Sequence, residues 1–128
     1  MEEPLDLLAI GQIAVPVKDL DRAVAFYRDS LRLRFLFRAS PGLAFFDCGG
    51  VRLLIEVPEN ESFRHPSSVL YFRVADIQAA YQRLTARGVQ FLGEPHVIAR
   101  LPTMTVWMAF YSDTEGNTHA LMSEIPIP

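Results

Sequence analysis

The feature that most constrains the fold of this chain is an internal repeat. The segments "IAVPVKDLDRAVAFY" (residues 13–27) and "LYFRVADIQAAYQRL" (residues 70–84) share one plan: an apolar strand ending in Val, then an Asp, then residues with helical spacing. Asp19 of the first segment matches Asp76 of the second at an offset of 57 residues, and the flanking apolar residues keep that offset. Two such copies predict two similar modules that pack against each other to bury their apolar faces.

Each copy of the repeat predicts one helix. The Asp precedes a run of good helix formers, and its carboxylate is positioned to cap the free amide groups of the first turn. Val24, Tyr27 and Leu31 give the first helix an apolar stripe, and Ile77 and Leu84 begin and end the stripe of the second.

Three strand-like runs follow each predicted helix. Their Val, Phe, Tyr and Trp content, and the Gly and Pro residues between them, favour strands over further helices. We therefore predict an α+β protein built as βαβββ twice, with mostly antiparallel strands that form a concave sheet. The chain is predicted to be one domain, 1–128, with modules at 9–57 and 67–124 and an exposed linker at 58–66.

Composition argues against several classes of partner. The chain has 12 Lys and Arg against 15 Asp and Glu, so its formal net charge of −3 favours neither nucleic acid nor an anionic membrane. No apolar run approaches the ~20 residues of a membrane span, and the acidic start "MEEPLDLLAIGQ" lacks the pattern of a signal peptide. The single cysteine, Cys48, suits a reducing cytoplasm and is either a packed, inert thiol or a reactive one. We predict a cytoplasmic protein with no nucleic-acid or membrane partner.

Two stretches carry a family resemblance. "VKDLDRAVAFYRDSL" near the start and "FYSDTEGNTHALMSE" near the end resemble the first helix and the last turn of the glyoxalase/bleomycin-resistance/extradiol-dioxygenase group, the vicinal oxygen chelate superfamily. The resemblance spans residues 9–124. It implies a cupped eight-stranded sheet, a homodimer in which each cup is closed by the partner, and, in members with metal, a divalent ion held by His and Glu.

The resemblance also implies where such a metal would bind, because the family's ligands come from the first and last strand of each repeat. The first-strand position is Gln12, and the offset of 57 gives Val69. Aligning the glycines before the last strands gives an offset of 66, which pairs Leu54 with Ala120. Val, Leu and Ala have no donor atom, and a shift of two residues would add only Glu56. We therefore predict no metal and no other cofactor.

Alternation along the strands predicts which side chains share the cup. Arg73 either fixes a carboxylate or phosphate with a forked pair of hydrogen bonds, or pairs with Glu56 or solvent. Trp107 and Tyr111 lie on one side of their strand; this side is either core or a wall of the cup. The predicted ligand-binding residues are Gln12, Arg52, Leu54, Val69, Tyr71, Arg73, Trp107, Ala120 and Met122.

Two residues are the candidates for catalysis. Glu56 is either a general base in the cup or a charge at the strand end. His96 precedes a loop that can fold over the cup, and is either catalytic or exposed to solvent. His119 has the opposite parity to Ala120 and is predicted to point toward the helices.

Two classes of function fit these residues. The first is a binding protein for a small, partly apolar molecule, neutral or anionic, because Arg52 and Arg73 face Glu56 in the predicted cup. The alternative is an enzyme of the lyase, isomerase or dioxygenase type, acting on a small carbonyl or conjugated substrate. In either class the predicted partners are a small-molecule ligand and a second copy of the chain.

Overall fold

The computed structural model describes residues 6–39 and 41–128 of the chain. It confirms the α+β class and the order strand, helix, three strands in each half, with one additional short strand in the described second half. The elements are β1 (Gln12–Pro16), α1 (Leu20–Ala25), β2 (Arg34–Ala39), β3 (Leu43–Cys48), β4 (Val51–Glu56), β5 (Tyr71–Arg73), α2 (Ile77–Ala86), β6 (Gln90–Phe91), β7 (His96–Arg100), β8 (Met104–Ser112) and β9 (Thr118–Pro126).

Both helices begin as the repeat predicts. The backbone N–H of Arg22 donates to Asp19 Oδ1, and that of Ala79 donates to Asp76 Oδ1, each at 3.1 Å. Each aspartate therefore satisfies an amide that the first helical turn leaves without a partner. Helix α1 continues into a π-helical turn at Phe26–Ser30, and the linker contains a 3-10 turn at Glu61–Phe63.

The strands form two sheets. The N-terminal sheet has the order β1-β4-β3-β2, and the C-terminal sheet has the order β5-β9-β8-β6, with β7 also paired to β8. The pairs β1–β4 and β5–β9 are parallel and the remaining pairs are antiparallel. The structure thus has sheets of four and five strands where a single eight-stranded sheet was expected.

The additional strand arises in the segment after α2. The sequence "VQFLG" (89–93) is one of the three strand-like runs expected after the second helix, and His96 was expected to precede a loop. Gly93 and Pro95 interrupt that segment, since glycine weakens a strand and proline has no N–H to donate. The result is the two-residue strand β6 and a separate strand β7 that begins at His96. His96 therefore begins a strand, whereas a loop was predicted to follow it.

The register of the sheets reproduces both offsets of the repeat. Ala14 lies opposite Leu54 in the β1–β4 pair, and Tyr71 lies opposite Ala120 in the β5–β9 pair. Ala14 and Tyr71 are 57 residues apart, and Leu54 and Ala120 are 66 apart. The two pairs are therefore equivalent positions of the two modules.

One core joins the modules. It includes Phe46 and Ile55 of the N-terminal half and Tyr111 and Leu121 of the C-terminal half, all buried. Contact between the modules also includes a reciprocal pair of hydrogen bonds, in which Ser30 Oγ donates to Arg87 O (3.4 Å) and Arg87 Nε donates to Ser30 O (2.9 Å). These residues differ by the repeat offset, so the approximate twofold axis of the chain passes between them.

Neither helix of the described chain has the length and apolar character needed to cross a membrane.

Candidate functional site

Each sheet has one face packed on the helices and one face turned away from them, which we call its open face. On β9, His119 and Leu121 are buried on the helix side, so Ala120 and Met122 belong to the open face. On β4, buried Ile55 likewise assigns its even-numbered neighbours to the open face. The open faces correspond to the cup expected from the sequence.

The four positions at which the family resemblance would place metal ligands all lie on the open faces. Gln12 is exposed beside Arg52, and Leu54 is buried between β1 and β3. Val69 precedes β5 and is 40% exposed. Only Gln12 offers a donor atom, a neutral amide oxygen, whereas transition-metal sites use imidazole, thiolate or carboxylate groups.

The fourth position, Ala120, is covered by two aromatic rings. Tyr71 lies opposite Ala120 on one neighbouring strand, and Phe110 lies opposite it on the other. The two rings meet edge to face with centroids 6.2 Å apart, and Ala120 has 0% exposure. A carboxylate at this position would lose its hydration against the rings, which is costly without a partner.

The donor set therefore does not fit a metal of the family's usual kind. Within residues 6–39 and 41–128, no three His, Cys, Asp or Glu side chains come together to hold an ion. At position 120, both the alanine side chain and the two rings above it are apolar.

The open face of the N-terminal sheet presents an aromatic surface with a cation at one end. The centroids of the Phe37 and Phe45 rings lie 4.7 Å apart, and the rings are tilted by 30° to each other. The Arg52 guanidinium lies over Phe45, with 5.6 Å between its Cζ and the ring centroid, a distance at which a cation and a ring attract. Asp47 lies opposite both Arg34 and Arg52 in the strand register, so two arginines face one aspartate there.

Arg73 is held by a carboxylate that the sequence interpretation did not name. Its Nη2 donates to Glu124 Oε1 at 3.1 Å, so its partner is Glu124 rather than Glu56. Both residues line an open cavity of about 770 Å³ at one end of the C-terminal open face, together with Met104 and Pro126. Glu124 follows Met122 by two residues, so continued alternation along β9 would have predicted it.

His96 lies at the other end of that open face. It lines a smaller cavity of about 230 Å³ together with Phe110 and Thr118, and its ring lies 6.4 Å from that of Phe110. His96 Nδ1 is 3.0 Å from Glu94 O, and donation of a proton there leaves Nε2 free to accept one. Glu56, the other catalytic candidate, is half-buried on the separate N-terminal sheet. The structure does not place these two residues in one constellation.

The structure corrects the placement of Trp107. The residue lies on the helix side of β8 with buried Ala109 and Tyr111, and it packs against the core. The side of β8 that carries Trp107 and Tyr111 is therefore core rather than a wall of the cup, and alternation puts Met108 and Phe110 on the open face. The predicted residues on the open faces are then Gln12, Arg52, Leu54, Val69, Tyr71, Arg73, Ala120 and Met122.

A buried polar network lies beneath the C-terminal open face. Leu70 N–H donates to His119 Nδ1 at 3.3 Å, which makes Nδ1 an acceptor and places the proton of the neutral ring on Nε2. His119 Nε2 lies 2.9 Å from Tyr27 Oη, and Tyr27 Oη donates to Asp113 Oδ2 at 2.7 Å. His119 is fully buried on the helix side, as its parity predicts.

Burial controls the ionisation of this network. It lowers the pKa of His119, although the nearby Asp113 carboxylate opposes the shift. Burial also raises the pKa of Tyr27, and Asp113 adds to that rise because it repels a phenolate. Both groups are therefore neutral at neutral pH, in agreement with the hydrogen-bond directions.

Two modules of this kind, each with one helix and a β-sheet open on the side away from it, define a class of paired-module α+β protein. The chain belongs to the Glyoxalase/Bleomycin resistance protein/Dioxygenase superfamily, whose family model matches residues 9–121.

Relatives in this superfamily have different properties. A glyoxylase-like domain-containing protein of Didymella fabae is 30% identical, over 88% of this chain and 91% of that protein. The solved lactoylglutathione lyase of Agrobacterium tumefaciens has a TM-score of 0.70 and 26% identity, over 94% of this chain and 95% of that chain. TnmS3, an antibiotic binding protein of Streptomyces sp. CB03234, has a TM-score of 0.74 and 23% identity, over 94% and 99%. The similarity to TnmS3 concerns the fold alone.

Proposed function

We propose that this protein binds a small, partly apolar molecule, neutral or anionic, on its open faces and without a metal ion. The observation that carries the proposal is the aromatic pair over Ala120: Tyr71 and Phe110 occupy the place where a metal ligand of the family would project. An apolar surface there favours contact with a ring or alkyl group of a ligand over coordination of an ion.

The apolar part of the ligand has two surfaces to contact. On the N-terminal sheet, Phe37 is 48% exposed beside Phe45. On the C-terminal sheet, Tyr71 is 49% exposed beside Phe110. Flat or alkyl groups that cover such rings remove apolar area from water, at about 25 cal/mol per Å².

The charge preference follows from the two arginines. Arg73 is neutralised by Glu124, whereas Arg52 contacts a ring and forms no ion pair within the described part of the chain. Asp47 lies opposite both Arg34 and Arg52, so its single carboxylate balances only one of the two arginine charges, and Arg52 remains available to a carboxylate or another anion on the ligand.

A second copy of the chain is the proposed protein partner, and the cytoplasm the proposed compartment. Several large apolar side chains are 40% exposed or more and would be covered in a homodimer. The compartment rests on the single free cysteine. The exposed apolar side chains include Leu92, Ile98, Leu101, Ile125 and Ile127.

A matched set of probes tests the binding proposal. Naphthoate, naphthamide and naphthylmethylammonium share one ring system and differ in charge, so calorimetric titration separates ring contact from charge recognition. We expect naphthoate to bind at least as tightly as the amide and the cation to bind most weakly. Arg52→Gln is expected to remove the preference for naphthoate, and Arg83→Gln, which removes a charge from the exposed side of α2, serves as the control. Equal affinity for all three probes, or no binding of any of them, contradicts the proposal.

The metal-free state has its own measurement. Purified protein is equilibrated with Zn²⁺, Mn²⁺, Ni²⁺ and Fe²⁺, desalted and analysed for metal content. One tightly held ion per chain, whose removal abolishes naphthoate binding, would show that the site needs a metal.

A glyoxalase-like lyase or isomerase reaction is the second candidate function. The position of His96 favours it, because a free Nε2 at the edge of a cavity can move a proton on a small carbonyl or conjugated substrate. The 26% identity to a lactoylglutathione lyase also supports it. Turnover of such a substrate that disappears in His96→Gln, while naphthoate binding persists, would establish this function over binding alone.

A further inference from the structure

We infer that His119 and Tyr27 are positioning residues for the C-terminal open face, acting through a buried chain of hydrogen bonds that ends on the backbone just before β5. The inference rests on the proposed binding function, because β5 carries Tyr71, one of the proposed ligand contacts.

The chain of hydrogen bonds runs in one direction through the core. Leu70 N–H donates to His119 Nδ1, Nε2 of the same ring donates to Tyr27 Oη, and Tyr27 Oη donates to Asp113. Each donor in this sequence meets one acceptor, so none of these buried groups is left unsatisfied. Leu70 directly precedes Tyr71, and Leu70 O accepts from Ala120 N at 2.8 Å.

The same chain continues to the first strand of the other module. Asp113 Oδ1 accepts from the N–H groups of Glu115 and Asn117, each at 2.8 Å. Asn117 Nδ2 then donates to Pro16 O, at the end of β1, at 3.3 Å. Both edge strands that carry the proposed site, β1 and β5, are thus attached to one buried network.

The internal repeat shows that this core position does not require polar residues. The offset of 66 makes Leu53 the counterpart of His119, and the offset of 57 makes Leu84 the counterpart of Tyr27. Both leucines are buried in the same core. Because apolar side chains fill the equivalent space in one half, the polar pair in the other half has a role beyond packing.

That role is to fix the backbone that directs Tyr71. Strand β5 has three residues and lies at the edge of its sheet, where β9 is its one partner strand among the residues that the structure describes. The hydrogen bond from Leu70 N–H to a buried, rigid ring adds a restraint just before that short strand. Loss of it frees the start of β5 and, with it, the ring that covers Ala120.

Two variants of one residue separate positioning from packing. In His119→Asn the side-chain oxygen can lie near the place of Nδ1 and accept from Leu70 N–H, whereas in His119→Gln the amide nitrogen lies near the place of Nε2 and donates to Tyr27. Both variants remove the ring, so both lose its packing.

Amide hydrogen exchange measured by NMR is the readout, with the amide of Phe46 in β3 as the reference for global stability. We expect Leu70 to exchange about tenfold faster relative to Phe46 in His119→Gln, and within about twofold of the parent protein in His119→Asn. Naphthoate affinity is expected to fall in the same order. Nitrogen chemical shifts of His119 in the parent protein supply a direct signature, since Nδ1 must be unprotonated.

Equal exchange of Leu70 in the two variants, or a protonated Nδ1 in the parent, overturns the inference. Failure of naphthoate to bind the parent protein contradicts the proposed function, and the exchange comparison still decides the positioning role.

Discussion

Two buried tyrosines differ in what their hydroxyl groups contact, and removal of each hydroxyl gives a sharp test of the buried network. Tyr27 and Tyr111 are both fully buried, and their rings lie 6.1 and 5.9 Å from that of His119. Tyr27 Oη has two partners, whereas Tyr111 Oη has no hydrogen-bond partner among the residues that the structure describes. Tyr→Phe at either position removes one oxygen atom and preserves the ring.

The two substitutions are expected to differ in their effect on the free energy of unfolding. Tyr27→Phe loses a hydrogen bond to the Asp113 carboxylate, worth about 1.5–3 kcal/mol, and one from His119, worth about 0.5–1.5 kcal/mol. We therefore expect it to lower the free energy of unfolding by about 2–4 kcal/mol. Tyr111→Phe removes a buried hydroxyl that has lost its hydration without gaining a partner, so it is expected to be neutral or to stabilise by about 1 kcal/mol.

Urea unfolding followed by circular dichroism measures both free energies, and thermal scans supply a second reading. For a domain of this size, 1 kcal/mol shifts the melting temperature by about 3–5 °C, so the two variants should melt about 6 °C apart or more. If both variants lose the same stability, the hydrogen bonds of Tyr27 do not contribute as argued and packing alone explains the core.

Three further expectations follow from buried groups. Burial lowers the pKa of His119, so the unfolded chain binds a proton at this residue more readily than the folded chain does. Stability is therefore lost as the pH falls below about 6.5 and through the folded-state pKa. Urea midpoints measured between pH 7.5 and pH 5 should fall less steeply with pH in His119→Gln than in the parent protein. Ala120→Glu forces a carboxylate beneath two rings and is expected to lower the free energy of unfolding in urea by about 3 kcal/mol or more. Its control is Ala14→Glu, at the exposed position of the other open face that is equivalent to Tyr71, and it should lower that free energy by under about 1 kcal/mol. Equal losses in the two variants would contradict the aromatic cover over Ala120. The Glu115 side chain is 5% exposed and accepts from Lys18 N–H and Arg22, so Glu115→Gln should lower the free energy of unfolding by about 1–2 kcal/mol. Asp21, the 85% exposed partner of Arg38, provides the control, and Asp21→Asn should change that free energy by under about 0.5 kcal/mol. Similar losses in the two variants would show that burial of an ion pair does not determine its contribution.

Local and periodic features of this fold were predictable from the sequence. The caps at Asp19 and Asp76 depend on residues within one helical turn, and the positions of Leu54 and Ala120 depend on a repeat that the chain itself displays. Parity along β9 likewise predicted that His119 points to the helices. These are short-range rules, and tertiary contacts did not override them.

The features that were missed depend on pairings between distant segments. The face of β8 that carries Trp107 was undecided until the register with β9 set it, because both faces of that strand are apolar. The rings of Tyr71 and Phe110 meet only because β9 lies between their strands. The hydrogen bond between Tyr27 and Asp113 joins residues that are 86 positions apart in the sequence, so no local sequence pattern could predict it.

The aromatic cover over Ala120 also limits how this chain can change by mutation. A metal centre of the family's kind needs donors at three or more positions, and the open-face positions that the family uses supply one amide, Gln12. A carboxylate placed first at position 120 would displace Tyr71 and Phe110 before any ion could offset the loss of packing. That first step would lower stability, and one carboxylate with one amide would still fall short of the three or more donors that a metal needs. A route to a metal enzyme that begins at position 120 is therefore unfavourable for this chain, and new specificities are most accessible through exposed residues around the rings, where changes cost little stability.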